Sequence, residues 1–178
     1  MQKDDSPLSP RPATLTARLR LEPIRRDHAD DLWRLHQDNG VAAYWGAWSH
    51  EDASRFARAC EEAWTSRGVS KWIAYDRIDS TLVGRGGLSR IVVDGELRLE
   101  VGWTVREALR GRGFATEIGQ AGLLFAFDEL GADEVVAFTE PANVRSRAVM
   151  ERLGMTYERE ITHNGAPFVL YIVRRALR

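Results

Sequence analysis

Apolar residues recur along this chain with two periods. In ELRLEVGWTV (96–105) the odd positions Leu97, Leu99, Val101, Trp103 and Val105 are apolar, while Glu96, Arg98, Glu100, Gly102 and Thr104 are polar or small. Period two predicts a strand with one buried face. Strands are also expected at Leu19–Leu21, with Ile24 at the end, and in KWIAY (71–75), TLVGRGGLSRIVV (81–93), DEVVAF (133–138), MTYEREI and FVLYIVRR. Asp94-Gly95 and Asn164-Gly165 read as hairpin turns. Helical spacing governs the rest. One helix opens at Asp27, with Asp30 in its first turn and Leu32 and Leu35 turned inward. A second opens at Ser49 and carries Ala53, Phe56, Ala57, Cys60 and Trp64 on one stripe. A third follows strand 96–105, and a fourth is capped by Asn143, runs to Leu153 and stops at Gly154. The predicted fold class is α/β (α+β), with a mixed, mostly antiparallel sheet. Segment 96–138, strand–helix–strand, should hold one parallel pair, because a crossover helix joins parallel strands.

With 178 residues and 44% hydrophobic content, the chain can build one real core. Residues 1–14, MQKDDSPLSPRPAT, are Pro-rich and read as a disordered arm, leaving 15–178 as the single domain. That arm lacks the apolar centre of a signal peptide, and no stretch approaches a membrane span, so a soluble cytoplasmic protein is expected. A net charge of −1 excludes a general nucleic-acid-binding surface. Cys60 is the only cysteine, which excludes an intramolecular disulfide and a thiolate metal cluster, and its place on an apolar stripe reads as a buried thiol. Basic residues are almost all arginine; Lys3 and Lys71 are the two lysines.

The junction after strand 96–105 carries the chemistry. REALRGRGFAT places Arg110, Gly111, Arg112 and Gly113 where a helix begins. Free amides, the positive end of the helix dipole and two guanidinium groups together favour a phosphate. The Gly-Lys-Ser/Thr of a nucleotide P-loop is missing, and a dinucleotide fingerprint fails because Thr116 stands where Gly or Ala is needed. The spacing that fits is Arg110-x-x-Gly113-x-Ala115.

That spacing, opening a long helix after a strand, resembles the acetyl-coenzyme-A signature of the GCN5-related N-acetyltransferases (GNAT). NVRSRAVMERLGM (143–155) resembles the Asn-x-x-Ser…Leu-Gly-Phe segment of the branch containing ribosomal-protein N-terminal acetyltransferases. The element order agrees over residues 15–176. The resemblance implies a GNAT fold in which amides of Gly111, Arg112, Gly113, Ala115 and Thr116 hold the pyrophosphate of acetyl-CoA, with Arg110 beside them. The strand at Val101–Trp103 would splay from the one at 134–139, so that pantetheine pairs with its backbone as an added strand. Asn143 would hydrogen-bond the coenzyme, or simply cap its helix. The implied activity is transfer of an acetyl group to a primary amine, either a protein N-terminus or a small molecule, by direct attack without a metal.

Such a transfer needs a neutral amine, a polarised thioester and a proton for the leaving thiolate. Glu100 is the leading base, its alternative being a solvated glutamate paired with Arg98 or a neighbouring strand. Gly102, two residues on, signals a bulge or a close approach. Glu140, at the end of the next strand, is the weaker base candidate, or part of a turn with Pro141. Ser146 is the candidate donor to the thiolate, its other role being a first-turn helix residue. The four histidines form no ligand pattern for a metal. GRGGL (84–88) reads as a bulge or a strand beside the coenzyme. AYWGAW (43–48) lies between helices as a loop that either walls the acceptor pocket or plugs the core. Two other classes stand beside the enzyme: a non-catalytic coenzyme-A-binding regulatory module and, less well matched, a nucleotide-binding domain.

Overall fold

Both Asx-Gly turns form as the sequence predicts. Asp94 and Gly95 lie at φ 50° and 82°, and Asn164 and Gly165 at 50° and 77°, the left-handed pair that a two-residue hairpin needs. In the computed structural model, which describes residues 11–175, they close the hairpins β4–β5 (Leu82–Val93, Glu96–Val105) and β7–β8 (Thr156–His163, Ala166–Arg174). The expected arm, residues 1–14, lies outside the described residues as far as position 10, and Thr14 already pairs with Leu21.

The remaining strands are β1 (Thr14–Leu15), β2 (Leu19–Pro23), β3 (Lys71–Asp76) and β6 (Glu134–Thr139). They form one sheet of order β1-β2-β3-β4-β5-β6-β8-β7, antiparallel except where β5 meets β6. That parallel pairing is confined to Glu100 opposite Val136. Beyond it the two strands part, as the splayed pair requires.

Helices cover both faces. α4 (Phe114–Leu124) ends in a π-helical turn at Phe125–Glu129 and, with α5 (Val144–Arg152), buries Ile118, Leu123, Val149 and Met150 against Leu19, Leu88, Val101 and Val135. Gly119 and Gly122 let α4 close on β5, since a Cβ there would meet Trp103 at 3.2 Å and Val101 at 2.9 Å. The opposite face carries α1 (Ala29–His36) and α3 (His50–Arg67), which pack Leu32, Ala53, Ala57 and Cys60 on Ile73 and Tyr75. The predicted start at Asp27 falls in a 3-10 turn, Arg26–His28, that leads into α1. Ser49 and Asp52 form the capping box of α3. Cys60 is buried, which pushes its thiol pKa up.

Three expectations need correction. First, 43–48 is not wholly a loop, because Asn39–Trp45 forms a further helix, α2. Asp38 caps it by accepting from the amides of Gly40 and Val41 at 3.1 and 3.3 Å. Second, Gly102 marks no bulge: the β4–β5 register runs unbroken through Gly87 opposite Gly102, and register shifts lie instead between β3 and β4 at Ala74/Tyr75 and between β7 and β8 at Tyr157/Arg159. Third, the buried face of β5 stops short. Leu97 is exposed together with its partner Val92, because this end of the hairpin runs past the helix that covers Val101 and Val105.

Candidate active site

The chain leaves β5 through a 3-10 turn at Glu107–Leu109 and enters α4 at Gly113, which stands at φ 83° as an N-cap without a side-chain bond. Gly111 is also left-handed, at φ 75°. The amides of Gly111, Arg112 and Gly113 make no backbone hydrogen bond among the described residues, and those of Phe114, Ala115 and Thr116 belong to the first turn, which lacks helical acceptors. Six donors therefore converge at the positive end of an eleven-residue helix. The loop is exposed at 111–113, so a phosphate can reach them.

Two residues that sequence reading missed hold this cradle. Glu117 accepts from the Thr16 hydroxyl at 2.5 Å and from the Arg18 backbone amide and Nε at 2.8 Å each. Arg18 also donates through Nη1 to the Arg112 carbonyl at 2.8 Å and lies over the Phe114 ring. Burial pushes the Glu117 pKa upward, but the bonds from Thr16 and Arg18 outweigh it and the net shift is downward. Arg110 is not brought to the amides. Its Nε donates to the Val105 carbonyl at 3.3 Å, and its guanidinium lies where a Cβ on Gly40 would stand, 2.7 Å away. Arg110 thus locks α2 to the end of β5.

β5 and β6 run parallel, so their C-terminal ends and the starts of α4 and α5 share one rim of the sheet. Val101 and Trp103 turn their side chains to α4, leaving backbone along the seam where β6 has parted. On the β6 side Asn143 Oδ1 accepts from the Ser146 amide at 3.1 Å, so Asn143 is a cap. The Ser146 hydroxyl, half-buried in the first turn of α5, has no protein partner among the described residues. Glu140 is exposed, and its carbonyl accepts from the Asn143 amide.

Glu100 points to the face that carries α1–α3. It does not pair with Arg98, which instead binds Glu134 at 2.7 Å and Glu96 at 3.1 Å. Lys71, from β3, donates to Glu100 Oε2 at 2.9 Å and to the Gly87 carbonyl at 3.0 Å. Oε1 overhangs Gly102, where a Cβ would come within 2.7 Å of it. Oε2 is anchored, and Oε1 takes no hydrogen bond among the described residues. The signal for Lys71 was in the composition: it is one of only two lysines among 25 basic residues.

One step along the same face, Trp45 Nε1 donates to the Thr104 hydroxyl at 3.1 Å. Arg85, opposite Thr104, is 5% exposed and donates through Nε to His36 Nε2 at 3.3 Å. His36 stacks on Trp48, ring centroids 3.4 Å apart. Burial first, then the Arg85 charge, lower the His36 pKa to about 4, so the imidazole is neutral at physiological pH. Of the aromatic stretch, Tyr44 and Trp45 are more than half exposed, while Trp48 packs on the core of α1 and α3.

A separate cavity of about 920 Å³ lies on the outer flank of α4, against Thr14–Arg18, Trp64, Trp72 and Phe125. It reaches the cradle only at Gly113 and Thr116 and does not touch β6. Among the described residues no group of three His, Cys, Asp or Glu converges as a metal site, and no helix is long and apolar enough to cross a membrane.

The chain and its fold have known relatives. The chain is 27% identical over 159 residues to the uncharacterized protein YkkB of Bacillus subtilis (strain 168), covering 88% of this chain and 92% of the other. It is 28% identical over 156 residues to the FsC-acetyl coenzyme A-N(2)-transacetylase of Aspergillus fumigatus, covering 82% of this chain and 66% of that protein. The crystal structure of a GNAT-family acetyltransferase from Bacillus anthracis superposes with a TM-score of 0.74 at 23% identity, covering 91% of this chain and 98% of the other. Residues 18–156 match the family model of the acetyltransferase (GNAT) domain, and the chain belongs to that family of enzymes.

Proposed function

We propose that this enzyme transfers the acetyl group of acetyl-CoA directly to a primary amine. The observation that carries this is the row of six amides at Gly111–Thr116, unpartnered among the described residues, on the rim where β5 and β6 part after Glu100. The amides and the α4 dipole suit the pyrophosphate. The open edge of β5 at Val101–Trp103 suits an extended amide chain laid in as a strand. The Aspergillus relative's name, an acetyl-coenzyme-A-dependent transacetylase, supports the same cosubstrate.

When bound, the cosubstrate supplies a thioester carbon open to attack by the amine. The residues of this chain do the rest. Glu100, anchored through Oε2 by Lys71, offers Oε1 to the amine proton, directly or through one water. The Ser146 hydroxyl, without a protein partner among the described residues, would orient or relay a proton through water to the departing thiolate. Asn143 fixes the helical turn that carries it. Holding the two reactants together supplies much of the acceleration, without a covalent enzyme intermediate. The acceptor class is an α-amine, of a protein N-terminus as the Asn143-x-x-Ser146 segment suggests, or of a small molecule. An α-amine titrates near ~8 and needs only modest help from Glu100 at neutral pH.

The test is calorimetric titration with acetyl-CoA, followed by a thiol-release assay over a panel of amines. Tight binding with turnover on α-amines is expected. Binding without turnover on any amine would point to a regulatory coenzyme-A module, and absence of binding would overturn the reading.

A further inference from the structure

Arg85 is a charge without a counter-ion. It is 5% exposed, and among the described residues no carboxylate lies within 4.0 Å of it. Its Nε is used by His36, a neutral group. The two terminal amino groups hydrogen-bond to nothing in the described chain. Each keeps a little contact with solvent, since among the described residues Nδ1 of His36 is the one side-chain nitrogen or oxygen wholly shut off without a partner. The guanidinium carbon lies 4.9 Å from the Trp45 ring centroid, 5.5 Å from Trp48 and 4.8 Å from Phe56. Ring faces offset part of the desolvation of a cation, but an unpaired buried charge still lowers stability. A leucine at this position would fill the same aromatic pocket without that cost. Nearby negative charge is already committed, since Glu100 is held by Lys71.

The position of this charge is specific. Arg85 stands opposite Thr104, two residues along β5 from Gly102, over which the free oxygen of Glu100 lies. At the rise of a strand the backbone positions of Gly102 and Thr104 lie roughly 7 Å apart, so the two side-chain groups serve neighbouring stations on one face of the sheet. A molecule with an amine and a carboxylate on the same carbon, each making a hydrogen bond of about 3 Å, spans a gap of that order. A guanidinium edge with two free N–H groups matches a planar carboxylate. One unpaired positive charge balances a carboxylate, whereas a phosphate dianion would be left half-compensated. Polyamines would meet like charge.

We propose that Arg85 recognises the acceptor, its free guanidinium edge binding the carboxylate of an α-amino acid whose amine lies against Glu100. This rests on the acetyltransferase reading above and narrows its acceptor to small amino acids. The test compares glycine, alanine, methionine and phenylalanine, each against its own carboxamide, with kcat/KM referred to the concentration of neutral amine. The wild-type enzyme should prefer the carboxylates about 10- to 100-fold, the range of a charge-assisted bond to an ionised group. In Arg85→Met, which keeps bulk among the rings, that ratio should fall to near one. A binding arm uses the wild-type protein alone: calorimetry with N-acetylphenylalanine and with N-acetylphenylalaninamide in the presence of coenzyme A should favour the acid by a similar factor. This arm decides the matter if Arg85→Met does not fold. A wild-type enzyme indifferent to the carboxylate, or a folded Arg85→Met that keeps the preference, overturns the proposal while leaving acetyl transfer intact. Failure to acetylate any member of either series, together with no acetyl-CoA binding, would overturn the acetyltransferase reading as well.

Discussion

Gly102→Ala isolates the position of the Glu100 carboxylate from everything else in the site. The added methyl would stand 2.7 Å from Oε1 of Glu100 and 3.3 Å from Nζ of Lys71. Relaxing the first contact to a van der Waals distance of about 3.5 Å moves the oxygen by roughly 0.8 Å. The backbone tolerates the change, because Gly102 does not have a positive φ and alanine is favoured over glycine in a strand by about 0.5–1 kcal/mol. Both clashing atoms are tips of flexible side chains, so the melting temperature should stay close to that of wild type. Catalysis should not. A misplacement near 1 Å can cost about 100-fold, and a tenfold to hundredfold loss in kcat corresponds to about 1.4–2.7 kcal/mol of barrier. The assay is steady-state thiol release on an acceptor found in the amine panel, beside calorimetry with acetyl-CoA, whose affinity should hold. In a Glu100→Gln background the same alanine should add little further loss, since the two changes act on one group. Full activity of Gly102→Ala, or losses that simply add, would refute Glu100 as the proton acceptor.

Gly111→Ala should weaken acetyl-CoA binding at least tenfold by calorimetry and cost about 1–2 kcal/mol of stability, because residue 111 is left-handed although open space surrounds it; unchanged affinity would remove the amide cradle. Asn143→Ala should cost about 0.5–2 kcal/mol in chemical denaturation through the lost cap, whereas Ser146→Ala should lower kcat more than coenzyme affinity; full turnover in Ser146→Ala would exclude its proton role. Stability should be complete above pH 6.5 and fall as pH drops towards 4, because the unfolded chain protonates His36 in that window and the folded chain does so only near pH 4. The gap corresponds to on the order of 3 kcal/mol, readable as melting temperature against pH. Glu117, whose carboxyl is held below its ordinary 4.5, adds a second loss below that pH as its carboxylate protonates in turn; a flat profile from pH 7 to 4 would contradict the buried, neutral His36.

What the sequence revealed was local. Asp94-Gly95, Asn164-Gly165, the helix start at Ser49 and the stop at Gly154 each act through neighbours within a few residues, and each formed as read. The cradle was legible for the same reason, since its glycines and its helix start are contiguous. Helix α2 was missed because it is short, contains Gly40 in its first turn and packs there on Arg110, which is brought in from a distant segment. Leu97 misled because period two reports a pleat and not where the covering helix ends. The pairs on which the proposed chemistry rests, Lys71 with Glu100, Arg18 with Glu117 and Arg85 with His36, are 29, 99 and 49 residues apart. No spacing rule reaches across such intervals.

The separation of β5 from β6 has a consequence for the life of the protein between turnovers. One paired position, Glu100 with Val136, joins a five-stranded half-sheet to a three-stranded one. Past it, alternate peptide groups of β5 form an interior edge that water must satisfy whenever no ligand does. That seam is where amide hydrogen exchange should be fastest within the sheet. A cosubstrate laid along it, as proposed above, would act as a removable ninth strand, the ladder being finished only in the complex. Apparent stability then becomes a readout of metabolic supply, rising by RT ln(1 + [L]/Kd), about 2.7 kcal/mol at a hundredfold excess over Kd. A cell starved of the cosubstrate would hold a looser, more readily degraded enzyme than a well-fed one.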